Sequence, residues 1–458
     1  SFAPHYSRPT TEAPPPVYQE ARDWKMALPA DDQNRGAWWE IYRDEQLNVL
    51  EGQVTRANEN IKAAFARLLQ ARAQTRIERS YLFPTVTVDS RASRGRQSVN
   101  APIFNGTKPA TGNDFVLDAD VSYELDVWGR IRNSVAAARA SEQASAADLA
   151  TLDLGTHAEL ASDYFTLRSE DTEQELLDKT ATDYASALDL TQKLYEGGAA
   201  ALADLDQAKA QLETARTQAA DMRLHRAQTE HAIAVLLGRS PSGFHLDPRP
   251  LELDVEPPPI DPGLPSALLE RRPDVAAAER RVAAANAQIG VARAAYFPVF
   301  DLLGVAGFES TRTSNWITAP SRLWSVGSSA VLTVFDAGLH RAQSAQAQAA
   351  YDEQVANYRN VVLSAYQDVE DNLAALRQLQ QESVSEAAAV AATSGALEQA
   401  EYRYKAGIAT YLEIVVAENA ALAARLSAAD IQARRMIASV QLVKALGGGW
   451  STATVTLE

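Results

Sequence analysis

From Asp114 to Trp128 apolar and polar residues alternate with a period of two. Phe115, Leu117, Ala119, Val121, Tyr123, Leu125 and Val127 share one face, and Asp118, Asp120, Ser122, Glu124 and Asp126 share the other. This pattern predicts a β-strand with one apolar and one wetted face. Four carboxylates on one face need water, because an unpaired buried charge is costly. The run is also long for a strand of a globular sheet. A tilted strand between lipid and an aqueous lumen meets both conditions. Pro84–Arg96 predicts its partner across a Gly-, Asn- and Pro-rich loop, and Pro298–Arg312 with Arg322–Phe335 predicts a second pair. Trp128, Trp316, Trp324 and Phe335 fall near strand ends, where membrane-interface aromatics are expected.

Elsewhere the period changes. Leu205, Ala208, Leu212, Ala215, Ala219 and Met222 recur in alternating steps of three and four, as do Ile414, Ala417, Ala421, Ala424, Ala428 and Ile431. Such steps predict coiled-coil seams, and alanine lets the helices approach closely. Proline is absent between Ile131 and Ser240 and again after Pro320. Both tracts are rich in strong helix formers. A helix from Ile131 to Glu196 would reach about 100 Å at 1.5 Å per residue, too long for a compact domain.

The plan is duplicated. Tyr195-Glu-Gly-Gly198-Ala-Ala200 recurs as Tyr404-Lys-Ala-Gly407-Ile-Ala409, 209 residues later, with Arg226 meeting Arg435. Phe83-Pro84 recurs as Phe297-Pro298, and Leu125-Asp-Val-Trp128 as Leu332-Thr-Val-Phe335. Each copy therefore holds helices, a strand pair, a long helix, a glycine turn and a second helix. Four strands cannot close a barrel, and an open edge in lipid is forbidden, so a membrane reading requires an oligomer. Two copies would give a filled eight-stranded barrel, whereas three give twelve strands and room for an aqueous bore.

Composition narrows the chemistry. With 43 basic and 59 acidic residues the net charge is −16, which disfavours nucleic acid as a partner. There is no cysteine, so neither disulfides nor thiolate metal sites are available. No apolar run is long enough for a transmembrane helix. The six histidines fall in no zinc-binding pattern, and phosphate-loop and nucleophile-elbow motifs are absent. No catalytic residue, metal or small-molecule cofactor is expected. Two other readings remain beside a membrane duct: a soluble coiled-coil scaffold or adaptor, and an enzyme, for which no motif speaks.

Taken together, the duplicated unit, the two Tyr-x-x-Gly turns, Leu125-Asp-Val-Trp-Gly-Arg130, Arg271-Arg-Pro-Asp274 and Tyr296-Phe-Pro298 resemble outer-membrane efflux proteins of the TolC family. The similarity is greatest to the lipoprotein branch that serves tripartite RND multidrug pumps. Pro4-His-Tyr6-Ser-Arg-Pro9 is similar to the residues that follow the acylated cysteine there. The resemblance implies a mostly α, α+β membrane protein. Its homotrimer would carry a 12-stranded β-barrel in the outer membrane of a Gram-negative bacterium and a 12-helix α-barrel in the periplasm. It would be a passive exit duct for drugs and other small amphiphilic compounds, closed at its periplasmic tip until a periplasmic adaptor and an inner-membrane RND pump engage. A type I secretion outlet of the same fold is the nearest alternative. A lipid-bearing cysteine would precede Ser1.

In this frame residues 1–35 and 447–458 belong to an equatorial belt with the Pro-rich linker 241–263. Helices fall at 36–82 and 264–296, strand pairs at 83–128 and 297–336, and long hairpins at 129–240 and 337–446. The resemblance also implies site residues. Asp204 and Tyr404 match a constricting phenol–carboxylate link. The family's arginine two residues after the second turn glycine is replaced by Ala409. Its acidic pore ring keeps one member, Glu413, the other being Val416. Such a ring would favour cations. Tyr195, Gly198 and Gly407 form the turns beside which an adaptor docks. Asp118, Asp120, Glu124 and Asp126 are the expected lumen acids.

Overall fold

The computed structural model describes residues 2–11, 18–19, 35–96, 98, 111–253, 255–260 and 272–448. The belt and tail expected at 12–17, 20–34 and 449–458, and the start of the 264–296 helix, lie outside the described residues. The chain divides into two compact units.

The first unit comprises residues 1–10, 67–146 and 277–359. Its centre is a four-stranded antiparallel sheet in the order β1-β2-β3-β4. The strands are β1 (Thr85–Arg96), β2 (Thr111–Leu125), β3 (Val299–Ser310) and β4 (Arg322–Val331). The two sequence-predicted pairs are thus joined by a β2–β3 ladder that sets Asp118 opposite Gly307. A Cβ on Gly307 would lie 2.3 Å from the Leu117 carbonyl oxygen, so only glycine permits this approach.

β2 begins at Thr111, three residues before expectation, and the larger inward shifts are at strand ends. β2 ends at Leu125 rather than Trp128, β3 at Ser310 rather than Arg312, and β4 at Val331 rather than Phe335. Asp126 and Asp336 give the reason at the helix-proximal ends. Each turns back to cap the helix that follows, which takes its own residue out of the ladder.

The second unit holds residues 11–66, 147–276 and 360–458. Helix α1 (Glu45–Ala57) precedes α2 (Glu59–Ser80), and two hairpins of equal dimensions follow. Helices α3 (Arg130–Glu196) and α6 (Leu339–Lys405) are 67 residues each, and α4 (Leu202–Leu236) and α7 (Tyr411–Ala445) are 35 each. Helix α5 (Pro273–Ala294) leads into β3. Gly155 leaves α3 unbroken. Among the described residues no helix is long and apolar enough to cross a membrane.

Five of the six residues of the first predicted seam, Leu205 through Ala219, are buried. Of the second seam Ile414, Ala421, Ala424 and Ile431 are buried and Ala417 is half-buried, but the pattern changes after Ala424. Ala429 replaces Ala428 as the buried position, and Gln432, Ala433, Arg435 and Met436 are buried as well. There α7 is enclosed by other segments instead of one partner helix. Met436 and Val440 join Leu50, Val54, Leu160, Tyr164 and Ile233 in the unit's main core.

Candidate functional site

Three places carry polar chemistry: the sheet, the elbows where strands become helices, and the hairpin tips. On the sheet, Asp89 and Asp118 are register partners across β1 and β2. Together with Asp120 they bring carboxylate oxygens within 4.8 Å of one another. Asp89, missed in the sequence because its strand alternates weakly, therefore joins the predicted acids Asp118 and Asp120. Their shared face is the one that requires water.

The other two predicted lumen acids serve differently. Glu124 accepts a bidentate pair of bonds from Arg130 at 2.8 and 2.6 Å. Asp126 lies past the strand and accepts from the Ile131 and Arg132 amides at 3.0 and 2.9 Å and from the Arg132 guanidinium at 2.9 Å. Desolvation raises the Asp126 pKa, but these donors outweigh it and hold the carboxyl below its usual range. Glu124 and Asp126 thus fasten the elbow and are not free lumen charges.

The second elbow is built alike. Asp336 accepts from the Gly338 and His340 amides at 2.8 and 2.9 Å, and from the His340 ring. The His340 amide first, then the other donors, lower its pKa to about 2. Trp128 is no simple interface residue. Its indole N–H donates to the Pro298 carbonyl at 2.8 Å, and its ring packs on Phe297 and on Phe2. Trp316 packs on Phe115. Trp324 in β4 and Phe335 beyond it stand 77% and 87% exposed, as lipid-facing aromatics would.

At the tips, Gly198 and Gly407 take φ of +71° and +74°. In each the residue after the glycine donates five residues back, Ala199 to Leu194 and Ile408 to Arg403, in a Schellman cap. Tyr195 supplies the carbonyl for Gly198, and Tyr404 does so for Gly407. Asp204 is used locally, since its carboxylate accepts from the Ala201 amide at 3.2 Å at the start of α4. Tyr404 instead lies against Tyr411, in an apolar cluster with Ala208 and Val415. The expected Asp204–Tyr404 link is therefore not formed. Helix-capping claims the carboxylate, and packing claims the ring. Glu413, 209 residues after Asp204, forms an ion pair with Arg403 at 3.1 Å. Arg403, on the helix before the turn, thus supplies this tip with an arginine although the family's own is replaced by Ala409.

Two further features were not legible. Glu418 on α7 is half-buried with one carboxylate oxygen unpartnered. Burial, with Glu401 and Asp183 adding repulsion, pushes its pKa up to about 7. The arginines 209 residues apart both grip the inter-repeat linker. Arg226 binds Asp171 and the Leu246 carbonyl at 2.6 and 2.7 Å. Arg435 binds Gln380 and Gln432, and Gln432 donates to the Val255 carbonyl. Asp171 and Gln380 are themselves 209 apart, so the clamp was duplicated with the hairpins.

This constellation of a meander sheet, capped elbows and twin tips has counterparts among known proteins. The family model described as outer membrane efflux protein matches residues 52–239 and 264–448. The chain belongs to the outer membrane efflux protein family. Outer membrane protein OprJ of Pseudomonas aeruginosa is 33% identical over 98% of this chain and 93% of its own length. The toluene efflux pump outer membrane protein TtgC of Pseudomonas putida is 31% identical over 90% and 85%. The solved outer-membrane channel OprN superposes with a TM-score of 0.86 at 30% identity, covering 98% of each chain. As a family member the chain is an outer-membrane exit duct that extends into the periplasm. Its fold is that of trimeric channels, in which three four-stranded sheets make one barrel. A soluble scaffold is thereby set aside.

Proposed function

We propose that this duct discharges small amphiphilic compounds, antibiotics and solvents among them, delivered by an inner-membrane RND pump through a periplasmic adaptor. It adds no chemical step of its own. The observation that carries this reading is the sheet. One face is apolar and the other gathers Asp89, Asp118 and Asp120, while each strand pair runs into a 67-residue helix. Such a body supplies a path and no source of energy, so the drive must come from a partner. Similarity over nine-tenths or more of the chain to outer membrane proteins of toluene efflux pumps supports that division of labour.

The gate is proposed at the tips. Tyr404 packed against Tyr411, and the Arg403–Glu413 pair, brace the two helices of the second hairpin, and Ala208 packed with Tyr411 and Val415 ties it to the first; Gly198 and Gly407 shape the turns where the adaptor docks. If each Glu413 stays paired with its own Arg403, the expected carboxylate ring is neutralised while closed and becomes a cation-preferring ring on opening. A lipid anchor on a cysteine preceding Ser1 is supported by Phe2, whose ring stacks 4.4 Å from Phe297 beside Trp128. That puts the segment's start among aromatics suited to a membrane interface. Deleting the gene in its own host should raise steady-state accumulation of ethidium and of toluene-like solvents several-fold, and a plasmid copy should restore export. Unchanged accumulation of both would overturn the proposal.

A further inference from the structure

We infer that Arg94, Arg96 and Arg322 form a surface that binds the phosphate groups of outer-leaflet lipid headgroups. The register assigns each residue to a face. Val86, Val88, Arg94 and Arg96 of β1 lie on the face of Phe115, Leu117 and Val121 of β2. Through β3 the same face continues to Arg322, Trp324 and Val326 of β4. This is the face opposite Asp89, Asp118 and Asp120, and in the barrel it meets lipid. It carries no acid on any of the four strands. Its charges are these three arginines, all exposed and all at the end away from the helices.

Charge pairing separates the two faces. Arg91, on the lumen face of the same strand, has an acid within reach, Asp114 at 3.8 Å. Among the described residues no acid pairs with Arg94, Arg96 or Arg322. Depth agrees with a headgroup role. From Leu125 to Phe115, β2 runs about 34 Å at 3.4 Å per residue. At a tilt of about 40° this spans roughly 26 Å of membrane, the height of the apolar band. Phe115 pairs with Ala92 in register, so Arg94 and Arg96 stand just beyond that band. Trp324, two residues from Arg322, is an interface aromatic. A guanidinium at this depth offers a bidentate fork that matches phosphate, which carbonyl or hydroxyl headgroups do not. When three sheets close into a barrel, β4 of one copy lies beside β1 of the next. Arg322 then joins a neighbour's Arg94 and Arg96 on a continuous ring.

The test is native mass spectrometry of the trimer, extracted from vesicles of phosphatidylcholine containing one-tenth lipid A, or one-tenth of its dephosphorylated form. Wild type should retain the phosphorylated lipid about tenfold more than the dephosphorylated one. R94Q/R96Q/R322Q should lose that preference, R94K/R96K/R322K should keep part of it, and Arg91→Gln should leave it intact. Inorganic phosphate at millimolar concentration should not displace the lipid. Equal retention of both lipids by wild type, or an unaltered preference in the triple glutamine variant, would overturn the inference. Displacement by inorganic phosphate would also overturn it, by showing a free-anion site. The trimer mass in the same spectra shows separately whether the barrel has assembled.

Discussion

The two hairpins share dimensions to the residue yet differ in what holds them. In the first, Arg226 grips Asp171, whose side chain is wholly buried and is bound again by Arg168 at 2.6 Å. In the second, Arg435 grips the neutral Gln380, and its nearest acid is the exposed Glu256 at 3.6 Å. His157 of α3 is buried against Glu51, whereas 209 residues on the corresponding position is Tyr366. At the tips the order reverses. Asp204 serves only its own helix, while Glu413 bridges to Arg403. Duplication preserved the geometry and let the chemistry drift. The first hairpin concentrated ionic contacts at mid-length, and the second placed one at the tip.

The comparison breaks most sharply at the clamps. Replacing Arg226 with alanine strands the buried Asp171 beside Arg168 and should cost about 3–5 kcal/mol. Arg435→Ala leaves neutral amides unpaired and should cost about 1–3 kcal/mol. Thermal melting of the detergent-solubilised protein measures both. Asp171→Gln, which rewrites the first clamp as the second, should fall between them.

Next in size is a pH effect at the contact of α1 with the first hairpin, a contact whose histidine is Tyr366 in the second. Glu51 shares a hydrogen bond of 2.5 Å with His157, on whose ring Trp39 stacks, and its second oxygen has no partner. Burial, partly offset by His157, raises its pKa to about 7. Because the folded value lies above the unfolded one, the folded state holds the extra proton. Glu51's contribution is present below about pH 4.5 and is lost as pH rises through about 7, on the order of 3 kcal/mol. Hydrogen exchange of α1 should show protection falling over that range, and Glu51→Gln should flatten the profile. An unchanged slope in that variant would assign the effect elsewhere.

The turn glycines should behave alike. Nothing crowds a Cβ at Gly198 or Gly407, so alanine there pays only for its left-handed φ, about 1–2 kcal/mol of local stability. Matching losses of hydrogen-exchange protection at both tips are expected. The smallest effect is electrical. Glu413→Gln removes an exposed pair worth about 0.2–1 kcal/mol, and should lower cation preference in bilayer recordings by less than threefold.

Much of this was legible in the chain. The alternation at 115–125 fixed a strand and its faces, proline-free tracts marked the rods, and the repeated Tyr-x-x-Gly located both turns. What stayed hidden was which of several possible partners a polar group takes. Glu124 and Asp126 continue the strand's alternation, so pattern alone placed them in the lumen; only the elbow brings Arg130 and Arg132 back to them. Asp204 sits where the family's link would place it, but the Ala201 amide is nearer in sequence and cheaper to reach. Arg226 and Arg435 show in the sequence only as a matched pair, because their partners lie 55 residues away along the chain. Glu418 gave no signal, since its environment is assembled from α3, α6 and α7.

The central claim is a closed duct whose second hairpin holds the tip through Tyr404 and the Arg403–Glu413 pair. Single-channel recording in planar bilayers tests it most directly, comparing wild type with the Arg403→Ala/Tyr404→Phe double variant. The account predicts small, cation-preferring openings for wild type and several-fold larger conductance for the variant. Identical conductance in the two proteins, or no channel from the assembled wild-type trimer, would contradict it.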